Sequence, residues 1–399
     1  MREQYIVVLK DDIDSEKVSA VADELARAHH GSVMHVYKSA IKGFCIKIAE
    51  KEVLALSGDS RVQYMEEDGM VTAKAGFSCL ASSPSPIISP QQPAPWHLDR
   101  IDQQLLPLNG EYTFKYDGTG VNVYLIDGGI FVGHSEFLNK QNTASRASFA
   151  LKAGGLIFDA ADDAAVARGR DFGGHGTPVG SLIAGRTVGV AKNATIYSVR
   201  VTNGSGAGSF SAFLAGVDYV YRRNIRPAVA NLSIGGSVMK DPTGATALET
   251  GINNLIASGV TCVVAAPDAD ADASTESPSR VANCITVGTV GRDNVTGKDQ
   301  YVFGGFGLGV DLYAPGLGVC AAVSDLGNPG ANPTALRNIG GGTSTAVPLV
   351  TGVVAMYLQA FPGATPSDIS TIIRSNATRD LIINLPTGTK NRLLYSNFF

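Results

Sequence analysis

Three residues stand in contexts that could do chemistry together. His175 lies in a glycine-rich turn, 173 GGHGT 177, immediately before the small-residue apolar stretch 178 PVGSLIAG 185. An imidazole held at a helix start, with little steric cover and an ordinary pKa near neutrality, suits a general base. Taken alone it is as readily structural as catalytic. Asp127 ends the apolar run 121 VNVYLI 126 and opens the turn Gly128-Gly129. A carboxylate at the end of a buried strand must be hydrogen-bonded or paired, because an unpaired buried charge is costly. By itself it could be a turn former or a helix cap. Ser344 lies in 340 GGGTSTAVPLVTGVVAMYLQA 360, where glycines lead into a helix that is apolar nearly all round and therefore buried. A residue there can have its own backbone N–H and the helix dipole aimed at a developing oxyanion, although a plain N-cap would look the same. Together the three supply a nucleophile, a base and a carboxylate to orient the base, in the chain order Asp, His, Ser. That set suits acyl transfer.

The elements that must position them follow from periodicity. From Trp96 onward, continuous apolar runs at 121–126, 195–201, 228–234, 260–266 and 284–290 alternate with helix-like stretches such as 209–223 and 244–259. Runs without polar alternation are strands covered on both faces, so the expected class is α/β: a mostly parallel sheet with helices on both faces, ligands at the carboxyl ends of its strands. Residues 1–75 read separately. Strand-like 4–10, 33–38, 43–49 and 62–67 and helix-like Ser15–Ala28 (capped by Ser15) and Lys51–Leu56 give the order βαββαβ of a ferredoxin-like α+β domain. Between the two, residues 76–95 hold five of the 18 prolines and a cluster of serines, as a linker or processing region would. The expected division is therefore 1–75, 76–95 and 96–399.

Composition narrows the class. The 399 residues carry 32 Lys+Arg against 36 Asp+Glu, a net charge of −4, with no basic run, which argues against nucleic-acid binding. No apolar stretch is expected to reach the roughly 18 residues that cross a bilayer, and 1 MREQYIVVLK 10 holds no signal-peptide core, so no membrane association is expected. Cys45, Cys79, Cys262, Cys284 and Cys320 form no CxxC or Cys/His cluster. Buried free thiols are expected as readily as two disulfides among the last four.

With these motifs in view, the sequence resembles the subtilases, in the proteinase K-like branch with an inhibitory propeptide. The resemblance rests on 126 IDGG 129, 175 HGTPVG 180 and 342 GTSTAVP 348, and on 190 VAKNATIYSVRV 201, 204 GSGAGS 209, 231 NLSIGG 236, 278 PSRVANCITVG 288, 313 YAPG 316 and 391 NRLLY 395. It covers nearly the whole chain, with residues 3–75 similar to the family's propeptide. It implies a subtilisin-like fold in which Ser344 attacks the scissile carbonyl, His175 takes its proton and Asp127 fixes the imidazole tautomer. Gly204, Gly206 and Gly208 on one side and Ser233, Gly235 and Gly236 on the other would bind substrate backbone as added strands. Ala265 and Ala266 would line the primary specificity pocket. The implied partners are protein or peptide substrates and the chain's own propeptide as intramolecular inhibitor, in a monomer that is extracellular, or in the secretory pathway or vacuole.

Departures from the family pattern surround these positions. Gly128 stands where Ser or Thr is usual, Pro178 replaces a His, and Thr345 and Leu349 replace Met and His. In 265 AAPD 268, Pro267-Asp268 replaces the Gly-Asn whose amide would donate to the oxyanion beside the Ser344 N–H. An ionised Asp268 has no proton to donate. A second reading therefore stands beside the endopeptidase: a pseudoprotease of the same fold that binds peptides or partner proteins. No cofactor is required by either, while structural calcium could be held by the acidic stretches 159–165 or 268–272. Asn-x-Ser/Thr sequences at Asn193, Asn203, Asn294 and Asn376 suit secretion, whereas Asn231 falls in an expected core strand.

Overall fold

The computed structural model describes residues 3–72, 89–152, 155–156, 171, 174–237, 245–293, 296–324 and 332–399. At the amino end, β1 (Gln4–Leu9), α1 (Val18–Ala28), β2 (Ser32–Tyr37), β3 (Gly43–Lys47), α2 (Glu50–Ser57) and β4 (Val62–Glu67) form the expected βαββαβ unit. Its antiparallel sheet has the order β2-β3-β1-β4. Alternation along β1 gives the sheet two buried faces. Val7 and Leu9 pack with Val18, Ala22 and Leu25 of α1, while Ile6 and Val8 face the larger unit. The α1 start differs from expectation: Asp14, not Ser15, is the cap, its carboxylate accepting from the Glu16 N–H at 3.0 Å at the head of a 3-10 turn, Ser15–Lys17. A further strand, β5 (Met70–Thr72), follows β4.

The larger unit begins before α3 (Trp96–Ile101). Gln91 and Tyr112 exchange backbone hydrogen bonds at 2.9 and 3.0 Å, and the Gln91 amide donates to Thr187 O at 2.8 Å, so residues 89–95 of the proline-rich stretch are fastened to this unit. The strands are β6 (Asn122–Asp127), β7 (Ala147–Phe149), β8 (Thr195–Arg200), β10 (Ala228–Leu232), β12 (Thr261–Ala265), β14 (Ile285–Arg292), β15 (Leu312–Pro315), β16 (Thr378–Arg379) and β17 (Arg392–Leu393). They lie in the order β16-β17-β15-β14-β12-β10-β6-β8-β7. Every pair from β17 to β7 is parallel. Among the short pieces off this path are β9 (Ala207–Ser209), β11 (Gly236–Ser237) and β13 (Glu276–Ser277).

Side chains alternate across this sheet into two cores. Val123, Leu125, Val229 and Val263 meet α4 (Gly176–Ala184) and α7 (Thr343–Ala360). Tyr124, Ile126, Ala230 and Val264 meet α5 (Phe210–Arg223) and α6 (Thr246–Ala257). Helices thus cover both faces, as expected for a doubly covered parallel sheet. The second core continues without a break into the amino-terminal unit through Ile6, Tyr37, Cys45 and Val71.

Several expectations are corrected here. Over its 18 residues α7 is long and apolar enough to span a bilayer, contrary to the expected absence of such a stretch, but 83% of that window is buried in the fold, the mark of a central core helix. Cys45, Cys262 and Cys284 are buried thiols, so the two-disulfide alternative is not what forms, and Cys79 lies outside the described residues. Asn231 is fully buried and its amide bonds Ser233 and Thr351, as its place in a core strand implied. Asn294 lies outside the described residues.

Candidate active site

Asp127 closes β6, and the carboxyl end of that parallel strand delivers its side chain to the head of α4, where His175 precedes the first helical turn. Asp127 Oδ1 lies 2.7 Å from His175 Nδ1 and 2.5 Å from the Gly128 N–H that donates to it. A carboxylate only accepts, so Nδ1 carries the proton and Nε2 is left as the basic nitrogen. Both side chains are buried, and His175 Nε2 has no hydrogen-bond partner among the described residues. Burial works against charge on the imidazole. The carboxylate of Asp127, through charge and hydrogen bond, and then those of Asp171 and Asp268, outweigh it, so the His175 pKa is raised. The close approach requires glycine at 176, where a Cβ would fall 1.9 Å from Gly129 O and 3.2 Å from Asp127 Oδ1.

Ser344 is the second residue of α7, buried, with its Oγ donating to Ser233 O at 2.9 Å just past the end of β10. Position 348 in α7 is proline, which has no N–H for the Ser344 carbonyl. The helix head is pinned by Thr345, whose Oγ1 accepts from the Gly342 N–H at 3.1 Å and lies 2.6 Å from Gly316 O. The other departures are accommodated too. Pro178 occupies the first turn of α4, where an N–H has no helical partner to lose. A side chain at Gly128 would meet Thr202 Oγ1 at 3.0 Å, and Leu349 is core.

Asp268, at the position expected for an oxyanion donor, faces the head of α7. Its Oδ1 accepts from the Thr343 N–H at 2.8 Å and lies 2.7 Å from Thr343 Oγ1. Pro267 is given room by Gly305, where a Cβ would meet Ala266 Cβ at 2.4 Å and Pro267 Cδ at 2.7 Å. Ala265 ends β12, and Ala266 N donates to Val287 O at 3.0 Å.

An extended strand of the chain itself lies between β9 and Gly236. β5 pairs antiparallel with β9 in the register Thr72↔Ala207, Val71↔Gly208 and Met70↔Ser209. On its other side Gly236 is pressed against the tail, since a Cβ there would lie 2.2 Å from Met70 O. Of the expected substrate-binding glycines, Gly208 and Gly236 thus touch an extended strand. Gly206 instead closes the turn at Asn203 and Gly204 lies within it, and Gly235 sits beside Ser277. Two carboxylates that the sequence did not single out dock the amino-terminal unit. Asp68 accepts from the Ser211 N–H at 3.0 Å at the head of α5, and Glu66 accepts from the Ala247 N–H at 3.2 Å at the head of α6. Both are acids at helix N-termini, where the dipole favours negative charge. A sequence signal existed in 66 EED 68, but nothing in one dimension assigns it to those helices.

The calcium expectation is not met by 268–272. Asp268 serves Thr343, Asp270 accepts from Tyr301, and Asp272 caps Ser274, so the three do not converge. Among the described residues no group of three or more His, Cys, Asp or Glu side chains could hold a metal ion. The stretch 159–165 lies outside the described residues.

Comparison with known proteins agrees with this architecture. Residues 118–394 match the Subtilase family and residues 4–74 match peptidase inhibitor I9. The chain is 38% identical over 364 residues to an extracellular serine proteinase of a Thermus species, covering 91% of this chain and 77% of that protein. It is 32% identical over 404 residues to proteinase R of Parengyodontium album, covering 99% of this chain and 89% of the other. The crystal structure of a cold adapted subtilisin-like serine proteinase superposes with a TM-score of 0.65 at 37% identity, over 76% of this chain and 99% of that one. The chain belongs to the subtilase family of serine proteases and carries an inhibitor-type propeptide ahead of its subtilisin-like domain.

Proposed function

We propose that this protein is a serine endopeptidase made as a self-processing zymogen, with Asp127, His175 and Ser344 as its triad. The observation that carries the proposal is the 2.7 Å bond between Asp127 Oδ1 and His175 Nδ1, which leaves Nε2 as the basic nitrogen of a buried imidazole. Ser344 Oγ attacks the scissile carbonyl and gives its proton to Nε2. The imidazolium then returns that proton to the leaving amine, and water releases the acyl group by the same route. The Ser344 N–H, at the positive end of α7, stabilises the oxyanion.

Substrate would bind as β5 does, an extended strand between β9 and Gly236, held by main-chain bonds, with Ser233, Ala265 and Ala266 nearest the primary specificity pocket. In the zymogen β5 occupies that place, so cleavage is expected further along the chain, near Ala75 or within the proline- and serine-rich stretch 76–95. The extracellular proteinases among its relatives support secretion.

A second reading, a peptide-binding pseudoprotease, is favoured by one feature: at the oxyanion position the Asp268 carboxylate already accepts from Thr343 and offers no amide donor. Incubating the purified chain with denatured protein and an active-site serine label decides between them. Labelling at Ser344 with peptide release supports the enzyme; neither, with intact peptide binding, supports the alternative.

A further inference from the structure

A second carboxylate is built into the support of His175. Asp171 is fully buried. Its Oδ1 accepts from the His175 N–H at 3.1 Å, its Oδ2 accepts from the Thr177 N–H at 2.7 Å, and its own carbonyl accepts from Ser324 Oγ at 2.9 Å. Thr177 Oγ1 in turn accepts from the Phe131 N–H at 2.9 Å, in the loop that leaves Asp127. One side chain thereby couples the first turn of α4 to the two residues whose relative placement sets the 2.7 Å triad contact.

A neutral Asn or Ser caps a helix as well as Asp does, so capping alone does not call for a buried charge. Burial raises the Asp171 pKa, with the nearby Asp127 charge adding to it, against the Thr177 N–H, the Thr177 side chain and the His175 charge, which pull it down. The charged groups acting on His175 are Asp127 from β6, Asp171 from the segment before α4, and Asp268 from the loop after β12. Those acting on Asp171 are Asp127 and His175.

We propose that Asp171 is a positioning residue for the triad, fixing the His175 backbone against the Asp127 loop and adding a second negative charge beside the imidazolium that forms during acyl transfer. The proposal rests on the triad reading above and deepens it. It separates into placement, which acts on kcat, and charge, which acts on the proton affinity of His175.

The test uses the full chain in two backgrounds. In the uncleaved Ser344→Ala protein, the His175 ring is titrated by NMR with and without Asp171→Asn. The midpoint should fall by about one pH unit in the Asn variant. An unchanged midpoint overturns the charge role whether or not the protein cuts peptides, so failure of this inference is distinguishable from failure of the protease reading. In the self-cleaved enzyme, Asp171→Asn should lower kcat at least about tenfold with little change in KM, and the acid limb of its pH profile should move to lower pH. Loss confined to KM overturns it. Asp171→Glu keeps the charge but misplaces it. That variant should retain the parent's His175 midpoint while losing kcat, and it carries the placement test should the Asn variant not fold. Wild-type kcat in Asp171→Glu overturns the placement role.

Discussion

Ser344 Oγ donates its hydrogen bond to the main-chain carbonyl of Ser233, 2.9 Å away, while His175 Nε2, the proposed proton acceptor, carries no bond among the described residues. Gly236, three residues on, borders the proposed place of the substrate strand, which is occupied here by the chain's own β5. The hydroxyl must turn to the imidazole for attack. If the three residues act as one unit, Ser344→Ala and His175→Ala should each lower kcat by roughly 10⁴–10⁶-fold, with the double variant hardly worse. Peptide-hydrolysis kinetics on the three variants decide this. Additive losses, or a surviving serine-hydrolase label on Ser344→Ala, would sink the assignment.

Release of the propeptide by self-cleavage makes a separate prediction. Mass spectrometry of wild type and Ser344→Ala, purified side by side, should find a shortened amino terminus, cut near Ala75 or within residues 76–95, in the former only. The same cut in both would mean that another protease makes it, and no cut in either would leave the 1–75 unit a permanent part of the protein.

Docking of that unit should depend on pH. Burial pushes the Glu66 carboxyl up to about 7 at the head of α6, against the opposing pull of the Ala247 N–H, and burial raises Asp68 likewise. A carboxyl whose pKa is raised in the docked state takes up a proton on docking. Its contribution is therefore fully present below the free value of about 4.3 and is lost as pH rises through about 7. The cleaved propeptide should accordingly stay bound near pH 5 and dissociate more readily near pH 8, by on the order of tenfold or more in affinity. Gel filtration of the cleaved protein across this range measures it, and Glu66→Gln should flatten the trend. Tighter retention at pH 8 than at pH 5 would contradict the account.

What was legible in the sequence follows from what local chemistry can encode. The runs that became β6, β10 and β12 are continuous and apolar because both faces are covered, so their pattern survives in one dimension. The contexts of Asp127, His175 and Ser344 were readable for a related reason: strand end, glycine turn and helix start each leave a short local signature. β5 was not legible, since Met70–Thr72 is extended only because β9 lies beside it. Asp171 escaped notice as well. An acid four residues before a His is a common spacing, and only the fold shows it bonded to both His175 and Thr177. The sequence shows Pro267 as a departure from the family's glycine but not what accommodates it, because the space opposite is supplied by Gly305, 38 residues further along the chain.

The Asp268 carboxylate gives the sharpest prediction. Oδ1 is engaged by the Thr343 N–H at 2.8 Å, so Asn at 268 could keep that acceptor and present its amide to the oxyanion. The wild-type carboxylate, when ionised, repels the tetrahedral intermediate, and when protonated it can donate to it. Activity also requires His175 neutral. Because burial is outweighed by Asp127, Asp171 and Asp268 and the His175 pKa is raised, neutral imidazole is lost at a higher pH on acidification than for a free histidine. Asp268→Asn should raise kcat by up to about 10²–10³, since an amide can donate where the carboxylate cannot. Removing that negative charge also lowers the His175 pKa, which moves the acid limb of the pH profile down. Pro267→Gly with Asp268→Asn is the fairer comparison, because it restores the backbone freedom of the usual Gly-Asn pair. Peptide hydrolysis measured from pH 5 to pH 10 should show the double variant well above wild type at pH 8. If it is no more active there, Asp268 does not face the oxyanion, and the stabilising donors must come from the Ser344 N–H and another group.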